Sequence, residues 1–421
     1  MLKDLSIITP KNKSIINNKQ PEISLVFLDR AMLNDIKSIK MYLNKKEVSL
    51  TIKENKIIYT PKKSLRSGKY RVKLKARYSN GDKKDFEWSF AIASNNTQEI
   101  PSYNFYYGIP HAHTCLSTGK GSPTEALNYA QKKNLDFLAI TDHCGHLNKK
   151  ATYKGSNSNK WDVLKMNVAN FNKNHNKFLG LSGFEVTSNN YGDFNVFNSD
   201  NIFRGRIRRL SDFLFWLERE GTPIVAINHP HKYIESLTYN EHLDKFINLI
   251  EVGNGSFHGK YLDCERYYYK LLDKGWHLGA INGQDNHKFD WGDSDNLTVV
   301  LSPSLKKDDL LDSLKNRRTY STETRSLKLL FNINNYPMGS IIKNCGKNLD
   351  FTIWAEDKKS PMEKIQIITN EGKVIKEKTF HGKTKIKWNF SMLHIKNQWY
   401  VAKVIHQNGR CGISSAIFVW L

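Results

Sequence analysis

A chain of 421 residues is longer than one hydrophobic core usually serves, so we expect two or three domains. Its 39% hydrophobic and 12% aromatic residues exclude a largely disordered protein. Its longest apolar runs have only the length of strands, which excludes a membrane-spanning helix and predicts no membrane partner.

The formal net charge of +23 constrains the partners of the chain rather than its fold. Nucleic acid, an anionic wall polymer and a phosphorylated substrate would all suit it. The excess is spread widely, and the first hundred residues carry about twice as many Lys and Arg as Asp and Glu. No helix-turn-helix, zinc-finger or RNA-recognition signature accompanies this charge. We therefore favour a lysine-rich solvated surface over nucleic-acid binding.

The cysteines and the N-terminus predict a cytoplasmic protein. Five cysteines are scattered along the chain without a C-x-x-C pair, which argues against a disulfide framework. The opening MLKDLSIITPKNKSII has no continuous apolar stretch and no small-residue cleavage site. A processed form that starts after its signal would look the same, and would belong at the cell surface or outside the cell.

Residues 1–98 have the pattern of an all-β domain. Alternating runs such as ISLVFLD, KIIYT, YRVKLKARY and FEWSFAIA are separated by turn signals, of which Asn80-Gly81 is the clearest. Number and spacing of these runs predict an immunoglobulin-like β-sandwich. The polar stretch 94–104 predicts a linker.

The pattern changes twice more along the chain. Residues 99–326 alternate apolar strand-like runs with helical stretches, which predicts an α/β domain. Within it, Ser122, Pro123 and Glu125 predict the start of a helix with a capping box. Alternation returns in LDFTIWA, KIQIIT, WYVAKVIH and AIFVW, so residues 327–421 are predicted to form a second β-sandwich.

Acidic and imidazole side chains follow the strand-like runs of the middle region. In chain order they are His111 and His113, Asp142 and His143, Glu185, His229 and His231, Glu251, and Asp285 and His287. In a parallel barrel all strand C-termini open onto one face, so these side chains would converge.

Convergence of these groups predicts bound cations. His111 and His113 lie two residues apart on an extended segment, so their side chains share a face. Carboxylates and imidazoles crowded at one rim would suffer repulsion and desolvation unless divalent cations share them. Nitrogen and oxygen donors suit zinc, manganese or iron.

Longer strings carry a resemblance to a known family. The string HAHTCLSTGKGSPTEALNYAQKKNLDFLAITDH closely resembles the opening of PHP-domain (polymerase and histidinol phosphatase) metallohydrolases. The later pieces GFEVTSNNYGDFNVFN, INHPH, GQDNHKFDWG and NRRTYSTE resemble the CehA/McbA-type branch, which includes carbaryl hydrolase. The similarity covers roughly residues 105–421. It implies an α/β fold with a distorted (β/α)7 barrel, here flanked by the N-terminal and C-terminal β-sandwich domains, and two or three divalent metal ions.

The resemblance also implies a set of metal ligands. The ligands implied for the first metal are His111, His113, Glu185 and Asp285. Glu185 would bridge to a second metal that His229 also binds, and His143 and His287 would hold a third. Family members commonly have S-D-G where this chain has Thr118 in the middle position, which removes a carboxylate from the third site. Asp193 stands where they often have His, and it would coordinate through a hard oxygen instead.

Five further residues have open roles. Asp142 either orients a neighbouring ligand or caps the turn after its strand. His231 is a candidate general acid for the leaving group, or a solvent-facing loop residue. Glu251 ends a strand in the proposed site, and is a candidate for substrate contact or for support of a ligand. Lys120 and Lys232 lie near proposed ligands and are candidates for binding an anionic substrate.

These residues predict a metal-dependent hydrolase, with a metal-bridging hydroxide as nucleophile and an anionic small molecule or phosphorylated compound, most simply a phosphoester, as substrate. One alternative is a hydrolase of carbamates, carboxylic esters or amides, which the resemblance to carbaryl hydrolase allows. Another is a glycan-binding protein whose barrel has lost its activity, which the changes at Thr118 and Asp193 would favour.

Overall fold

The computed structural model describes residues 6–10, 12, 14–16, 19–27, 33, 35–92, 103–151, 158–343, 348–394 and 396–420. The chain divides into two compact units, Met1–Ile100 and Pro101–Leu421. Most of the predicted linker 94–104 lies outside the described residues. Residues 327–421 belong to the second unit, and their separation as a domain of their own stays a prediction.

The first unit contains two β-sheets. The described strands are β1 (Ser6–Thr9), β2 (Ser14–Ile16), β3 (Ile23–Phe27), β4 (Ile36–Leu43), β5 (Lys46–Val48), β6 (Thr51–Lys53), β7 (Lys56–Tyr59), β8 (Gly68–Tyr78) and β9 (Lys83–Ile92). One sheet has the order β1-β3-β7-β6 and the other β2-β9-β8-β4-β5. Leu25 and Ile57 from the first sheet and Val72, Leu74 and Phe90 from the second share one buried core, as in a β-sandwich.

The second unit mixes strands and helices. Its strands are β10 (Asn104–Ile109), β11 (Phe137–Ile140), β12 (Leu179–Ser188), β13 (Gly192–Phe197), β14 (Ile224–Ile227), β15 (Ile247–Asn254), β16 (Leu262–Asp263), β17 (Gly279–Gly283), β18 (Leu297–Ser302), β19 (Thr319–Thr322), β20 (Lys328–Ile333), β21 (Tyr336–Pro337), β22 (Ile341–Lys343), β23 (Asn348–Glu356), β24 (Met362–Thr369), β25 (Lys373–Lys383), β26 (Lys385–Leu393), β27 (Gln398–His406), β28 (Cys411–Ser414) and β29 (Ile417–Trp420). Its α-helices span Pro123–Lys132, Cys144–Leu147, Lys160–Asn174, Leu210–Glu220, Glu241–Asp244, Glu265–Asp273 and Lys307–Lys315, and 3-10 helices span Lys232–Ser236 and Asn370–Gly372.

Strands β10 to β18 form one series of neighbours. β10, β11 and β12 are parallel, β13 runs antiparallel between β12 and β14, and β14, β15 and β17 are again parallel. β18 pairs antiparallel with β10 at the start of the series. The Thr298 hydroxyl of β18 accepts from the backbone N–H of Asn282 in β17 and donates to its carbonyl, both at 2.8 Å. This contact links the two ends of the series.

The sequence of these strands explains their burial. The runs FLAI of β11, IVAI of β14 and INLIEVGN of β15 are buried along their whole length. Continuous apolar strands are typical of parallel strands that are covered on both faces. The helix Pro123–Lys132 begins with the predicted capping box of Ser122 and Glu125, and buries Ala126, Leu127 and Ala130.

The large sheet continues beyond β18 into the last part of the chain, in the order β18-β19-β28-β27-β24-β25. A second sheet, β21-β20-β23-β26, packs on it through residues such as Phe331, Ile353, Ile365 and Val404. None of the described helices has the length and apolar character that crossing a membrane requires.

Candidate metal centre

The structure brings the predicted ligands of six strands together. His111 and His113 follow β10, His143 follows β11, Glu185 lies in β12, Asp193 in β13, His229 follows β14, and Asp285 and His287 follow β17. Their ligand atoms fall into four overlapping groups in which all atoms lie within 4.8 Å of one another. The groups are His111, His113 and Glu185; His111, His229 and Asp285; Glu185, Asp193 and His229; and His113, His143 and His287.

Glu185 occupies the middle of the cluster with only 1% of its surface exposed. Its Oε1 lies 3.3 Å from Nε2 of His111 and 3.4 Å from Nε2 of His229. Its Oε2 lies 3.4 Å from Nε2 of His113 and 3.0 Å from Nδ1 of His143. One carboxylate therefore faces four imidazoles, which is the placement that a bridging ligand requires.

Asp285 closes the cluster from the β17 side. Its Oδ1 lies 3.0 Å from Nε2 of His113, 3.3 Å from Nε2 of His111 and 3.6 Å from Nδ1 of His287. Its backbone has a φ of 49°, and that of His229 has a φ of 25°. Non-glycine residues rarely adopt such angles, and they concentrate at functional sites.

Backbone hydrogen bonds join the two loops that carry most of these ligands. The N–H of Asp285 donates to the carbonyl of His111, and the N–H of His113 donates to the carbonyl of Asn286, both at 3.0 Å. The H-x-H segment and the D-N-H segment are therefore held side by side, although 170 or so residues separate them in the chain. The spacing of the residues within the H-x-H and D-N-H segments then determines which of their side chains face the cluster.

The donor set fits divalent cations. Nε2 of His111 and Nε2 of His113 lie 3.2 Å apart, and both point toward Glu185 and Asp285. Ligand atoms bound to one tetrahedral ion at about 2.1 Å lie about 3.4 Å from one another, close to these separations. Oδ1 of Asp193 is buried and has no hydrogen-bond partner among the described residues, as expected of a ligand atom.

Charge within the cluster changes the titration of its histidines. Burial lowers the pKa of His111, but Glu251, Asp285 and Glu185 outweigh it and hold the pKa well above its usual value. In His113 and His229 the effect of burial is likewise exceeded by hydrogen bonds to carboxylates, which raise each pKa to about 9. Burial raises the pKa of Glu185, but His111 and its neighbours lower it well below the usual range. Without cations the cluster therefore holds protons.

Glu251 lies behind the ligands. It is fully buried, and its Oε1 lies 2.8 Å from Nδ1 of His111. Its Oε2 accepts from the backbone N–H of His229 at 2.6 Å and from Nδ2 of Asn254 at 2.7 Å. Both oxygens are thus engaged with the protein, and of the two predicted roles this geometry favours support of a ligand over contact with substrate.

Asp142 anchors the loop after His113. It accepts from the backbone N–H of Thr114 at 2.8 Å, from the Thr114 hydroxyl at 2.5 Å and from the Ser117 hydroxyl. Ser117 Oγ in turn lies 3.4 Å from Nδ1 of His113. These bonds hold the loop after β10 and do not cap the turn after β11, and the link of Asp142 to a ligand is the indirect one through Ser117.

Thr118 stands beside the third group of ligands. Its hydroxyl lies 2.9 Å from Nε2 of His287, although the two residues are 169 positions apart. The carboxylate that the family pattern places here would therefore face His287. The hydroxyl leaves that group with imidazole ligands from His113, His143 and His287.

The remaining candidates lie at the exposed edge of the site. His231 is exposed, and Nδ1 of its ring accepts from the backbone N–H of Tyr233 at 3.4 Å. Its Nε2 lies beside Gly192, where an added Cβ would come within 3.0 Å. Lys232 is exposed and lies over the ring of Tyr233 at 5.3 Å. Lys120 is also exposed, and its backbone N–H donates to the carbonyl of His287 at 3.1 Å.

A cavity of about 270 Å³ opens beside Asp285 and His287. Its lining includes His258, Lys260 and Lys288. Neither Lys120 nor Lys232 lines it. The sequence reasoning missed these lysines, although Lys288 directly follows a predicted ligand and could have been noticed for that reason.

The loop that carries His258 and Lys260 is joined to the loop of Asp285. The N–H of Gly255 donates to the carbonyl of Gly283 at 3.0 Å, and that of His258 to Oδ2 of Asp290 at 3.3 Å. These bonds fix the basic residues next to the ligands.

Neither a protein-family model nor a curated protein matches the sequence. Some solved structures are similar to this chain. A two-domain protein from Bacteroides vulgatus, which contains a predicted PHP-like metal-dependent phosphoesterase, is similar at 16% identity and a TM-score of 0.45, over 76% of this chain and 96% of its own. PsfC from Pseudomonas syringae is similar at 18% identity and a TM-score of 0.38, over 53% and 93%.

A protein from Bifidobacterium adolescentis that is proposed to be a metal-dependent phosphoesterase is similar at 15% identity and a TM-score of 0.31, over 50% of this chain and 95% of its own. Identities and scores this low do not establish the family of this chain.

Proposed function

We propose that the chain is a metal-dependent hydrolase with a distorted (β/α)7 barrel of the PHP type, in its CehA/McbA branch, and that phosphoesters are its substrates. The observation that carries the proposal is the position of Glu185, whose two oxygens face four imidazoles from three different strand ends. Structural ion pairs do not require such a gathering of like groups, whereas a cluster of cations does.

The residues fall into three binding sites in this proposal. His111, His113, Glu185 and Asp285 would hold the first cation, Glu185, Asp193 and His229 the second, and His143 and His287 the third. The chemistry that zinc, manganese or iron supplies in such sites is Lewis acidity, which activates water near neutral pH and neutralises charge on the substrate.

Two residues of the chain support this chemistry in distinct ways. Glu251 is a positioning residue, because it fixes the ring of His111 so that Nε2 faces the carboxylates. His231 is proposed as the general acid. The N–H of Tyr233 donates to Nδ1 of His231, so the neutral ring carries its proton on Nε2, beside Gly192. The Nε2–H group can donate a hydrogen bond to a leaving group at the edge of the site, and transfer of a proton to that group requires the imidazolium form of the ring.

Charge beside the cluster supports an anionic substrate. Lys260, Lys288 and His258 line the cavity that contains Asp285 and His287. Cationic side chains next to bound metals would hold the non-reacting oxygens of a phosphoryl group. Lys120 and Lys232 remain candidates for the outer part of the substrate, since both are exposed on loops next to ligands.

A second candidate activity has an observation of its own. Phe257 and Phe289, which flank the residues of this cavity in sequence, are 65% and 50% exposed. Exposed aromatic side chains next to a site favour an aromatic or apolar group in the substrate. A carbamate or carboxylic ester of an aromatic alcohol would use them, as would an aryl phosphoester.

The test is an assay of the metal-loaded full chain against p-nitrophenyl phosphate, bis-p-nitrophenyl phosphate and 1-naphthyl esters. We expect turnover of a phosphate substrate and its loss, by at least about 100-fold, in His113→Asn. His175→Asn is the matched control, because His175 stacks on Phe171 outside the cluster. Activity confined to the naphthyl esters would reject phosphoesters. Less than one equivalent of metal after supplementation would favour the glycan-binding alternative.

A further inference from the structure

The central strand of the five-stranded sheet in the first unit presents a row of cations. β8 reads GKYRVKLKARY, and every second residue from 69 to 77 is Lys or Arg. Alternate residues of a strand point to the same face, so these five side chains share one face. The residues between them, Val72, Leu74 and Ala76, are buried in the core. The row is Lys69, Arg71, Lys73, Lys75 and Arg77.

The neighbouring strands neutralise only part of this row. Lys73 forms ion pairs with Asp85 and Glu87 of β9, at 2.9 and 2.6 Å. For the other four cations of the row, no described carboxylate comes within ion-pair distance. Cross-strand pairing places Asp85 of β9 opposite Lys75 on one side and Lys40 of β4 opposite it on the other. Lys40 is itself paired with Glu47 at 3.2 Å. Cross-strand pairing also places a second lysine, Lys83, opposite Arg77.

Like charges placed directly opposite each other destabilise a sheet. Both like-charge pairs lie on a central strand, where the side chains cannot be spread around an edge. The row keeps an excess of positive charge, and an anion laid along β8 would reduce the repulsion.

The same face has a concave surface and an aromatic ring. A cavity of about 740 Å³ is lined by four residues of the row, Lys69, Arg71, Lys73 and Lys75, together with Tyr42, Asn44, Lys45, Tyr70, Ser89 and one carboxylate, Glu87. Tyr42 is half-buried, and Nζ of Lys75 lies 5.6 Å from the centre of its ring. A basic groove with an aromatic side chain is the arrangement on which single-stranded nucleic acids bind, through phosphates and stacked bases.

We propose that this face of the first unit binds single-stranded nucleic acid along β8. Alternate residues of an antiparallel strand are about 6.8 Å apart. This distance is similar to the step between neighbouring phosphates of an extended single strand, so successive cations can meet successive phosphates. The sequence alone favoured a solvated surface because the excess charge is spread widely and no nucleic-acid-recognition signature accompanies it. The proposal is independent of the metal centre.

The first test is binding of fluorescein-labelled oligo-dT of 20 nucleotides to the full chain, measured by anisotropy at several salt concentrations. Each phosphate contact contributes about −0.7 to the slope of log K against log salt for single strands. We expect Arg71→Gln with Lys75→Gln to reduce the slope by about 1.4 and to lower the affinity by about tenfold or more. The matched control is Lys62→Gln with Lys63→Gln, which removes the same charge from exposed positions outside the row.

The second test separates nucleic acid from other polyanions. Long-chain inorganic polyphosphate serves as a base-free probe. Tyr42→Leu should lower the affinity for oligo-dT by about fivefold and leave polyphosphate unchanged. Equal effects of the two double variants, tighter binding of polyphosphate than of oligo-dT, or absence of oligo-dT binding at 50 mM salt would each overturn the proposal. Circular dichroism confirms that each variant is folded.

Discussion

Glu251 Oε1 lies 2.8 Å from His111 Nδ1, and neither side chain is accessible to solvent. The carboxylate thereby selects the tautomer of His111 in which Nδ1 carries the proton and Nε2 is free to bind a cation. An imidazole that is held in this way is a stronger and better oriented ligand.

We therefore predict that Glu251→Gln weakens metal binding by about 10- to 100-fold while the protein remains folded. Titration calorimetry with Zn²⁺ or Mn²⁺ measures the affinity, and thermal unfolding checks the fold. Asp244→Asn is the matched control, because Asp244 Oδ2 lies 2.6 Å from Nδ1 of His277 in a similar pair outside the cluster. Equal losses of affinity in the two variants would show that Glu251 has no special role at the metals.

Metal affinity is predicted to rise with pH. His113 and His229 have pKa values of about 9 because nearby carboxylates outweigh the effect of burial. Below that pH the rings are protonated, and a cation must displace their protons; above it the competition ends. Calorimetry at pH 7 in buffers of different ionisation enthalpy should detect proton release, which should decline toward pH 9.5. An affinity that is constant between pH 6 and 9 would contradict this expectation.

The third group of ligands should respond to a restored carboxylate. Thr118 Oγ1 lies 2.9 Å from Nε2 of His287, so Thr118→Asp would place an anionic oxygen next to His287. We expect about tenfold tighter binding of the weakest cation, or one additional equivalent of metal in elemental analysis. Thr118→Asn has nearly the same shape without the charge and should not reproduce the gain. If both variants bind metal alike, the gain would not arise from charge.

The cavity lysines should act on substrate binding. Lys260→Gln and Lys288→Gln are each expected to raise KM for a phosphate ester by about tenfold with a smaller change in kcat, because they remove contacts to an anion that the ground state already makes. Lys232→Gln, outside the cavity, is the comparison. A neutral 1-naphthyl ester should show no such rise in KM. A larger effect at Lys232 than at the cavity lysines would favour the assignment made from sequence.

The sequence could predict those residues of the site that lie in or directly after apolar strands. His111, Glu185 and Asp285 each follow or lie in an apolar strand, and the C-terminal ends of neighbouring parallel strands meet at one edge whatever their distance in the chain. Periodicity alone also predicts the β-rich first unit and the capped helix at Ser122. For the N-H-P-H and D-N-H motifs, the assignment of individual residues to particular metal sites came from the family resemblance.

Roles that depend on distances across the fold could not be predicted. The sequence predicts Glu251 at the end of its strand, whereas it lies within β15, and only the 2.8 Å contact with His111 shows that it supports a ligand. The position of Lys260 depends on how the loop after β15 lies against the loop of Asp285, and loop conformation has no periodic signal. Charge in the first unit is visible in the composition, but its order along one face requires the strand register.

The sheet that carries the metal ligands is completed by some of the last residues of the chain. β19 pairs with β18 on one side and with β28 on the other, and the N–H of Ala280 in β17 donates to the hydroxyl of Ser415 at 3.0 Å. During synthesis, the histidines near residue 111 therefore leave the ribosome about 300 residues before the strand that secures their sheet. Until β28 has been synthesised, one edge of β19 has unpaired backbone groups that can form hydrogen bonds with other chains. Assembly of the metal centre would thus be a late event, after translation has passed β28.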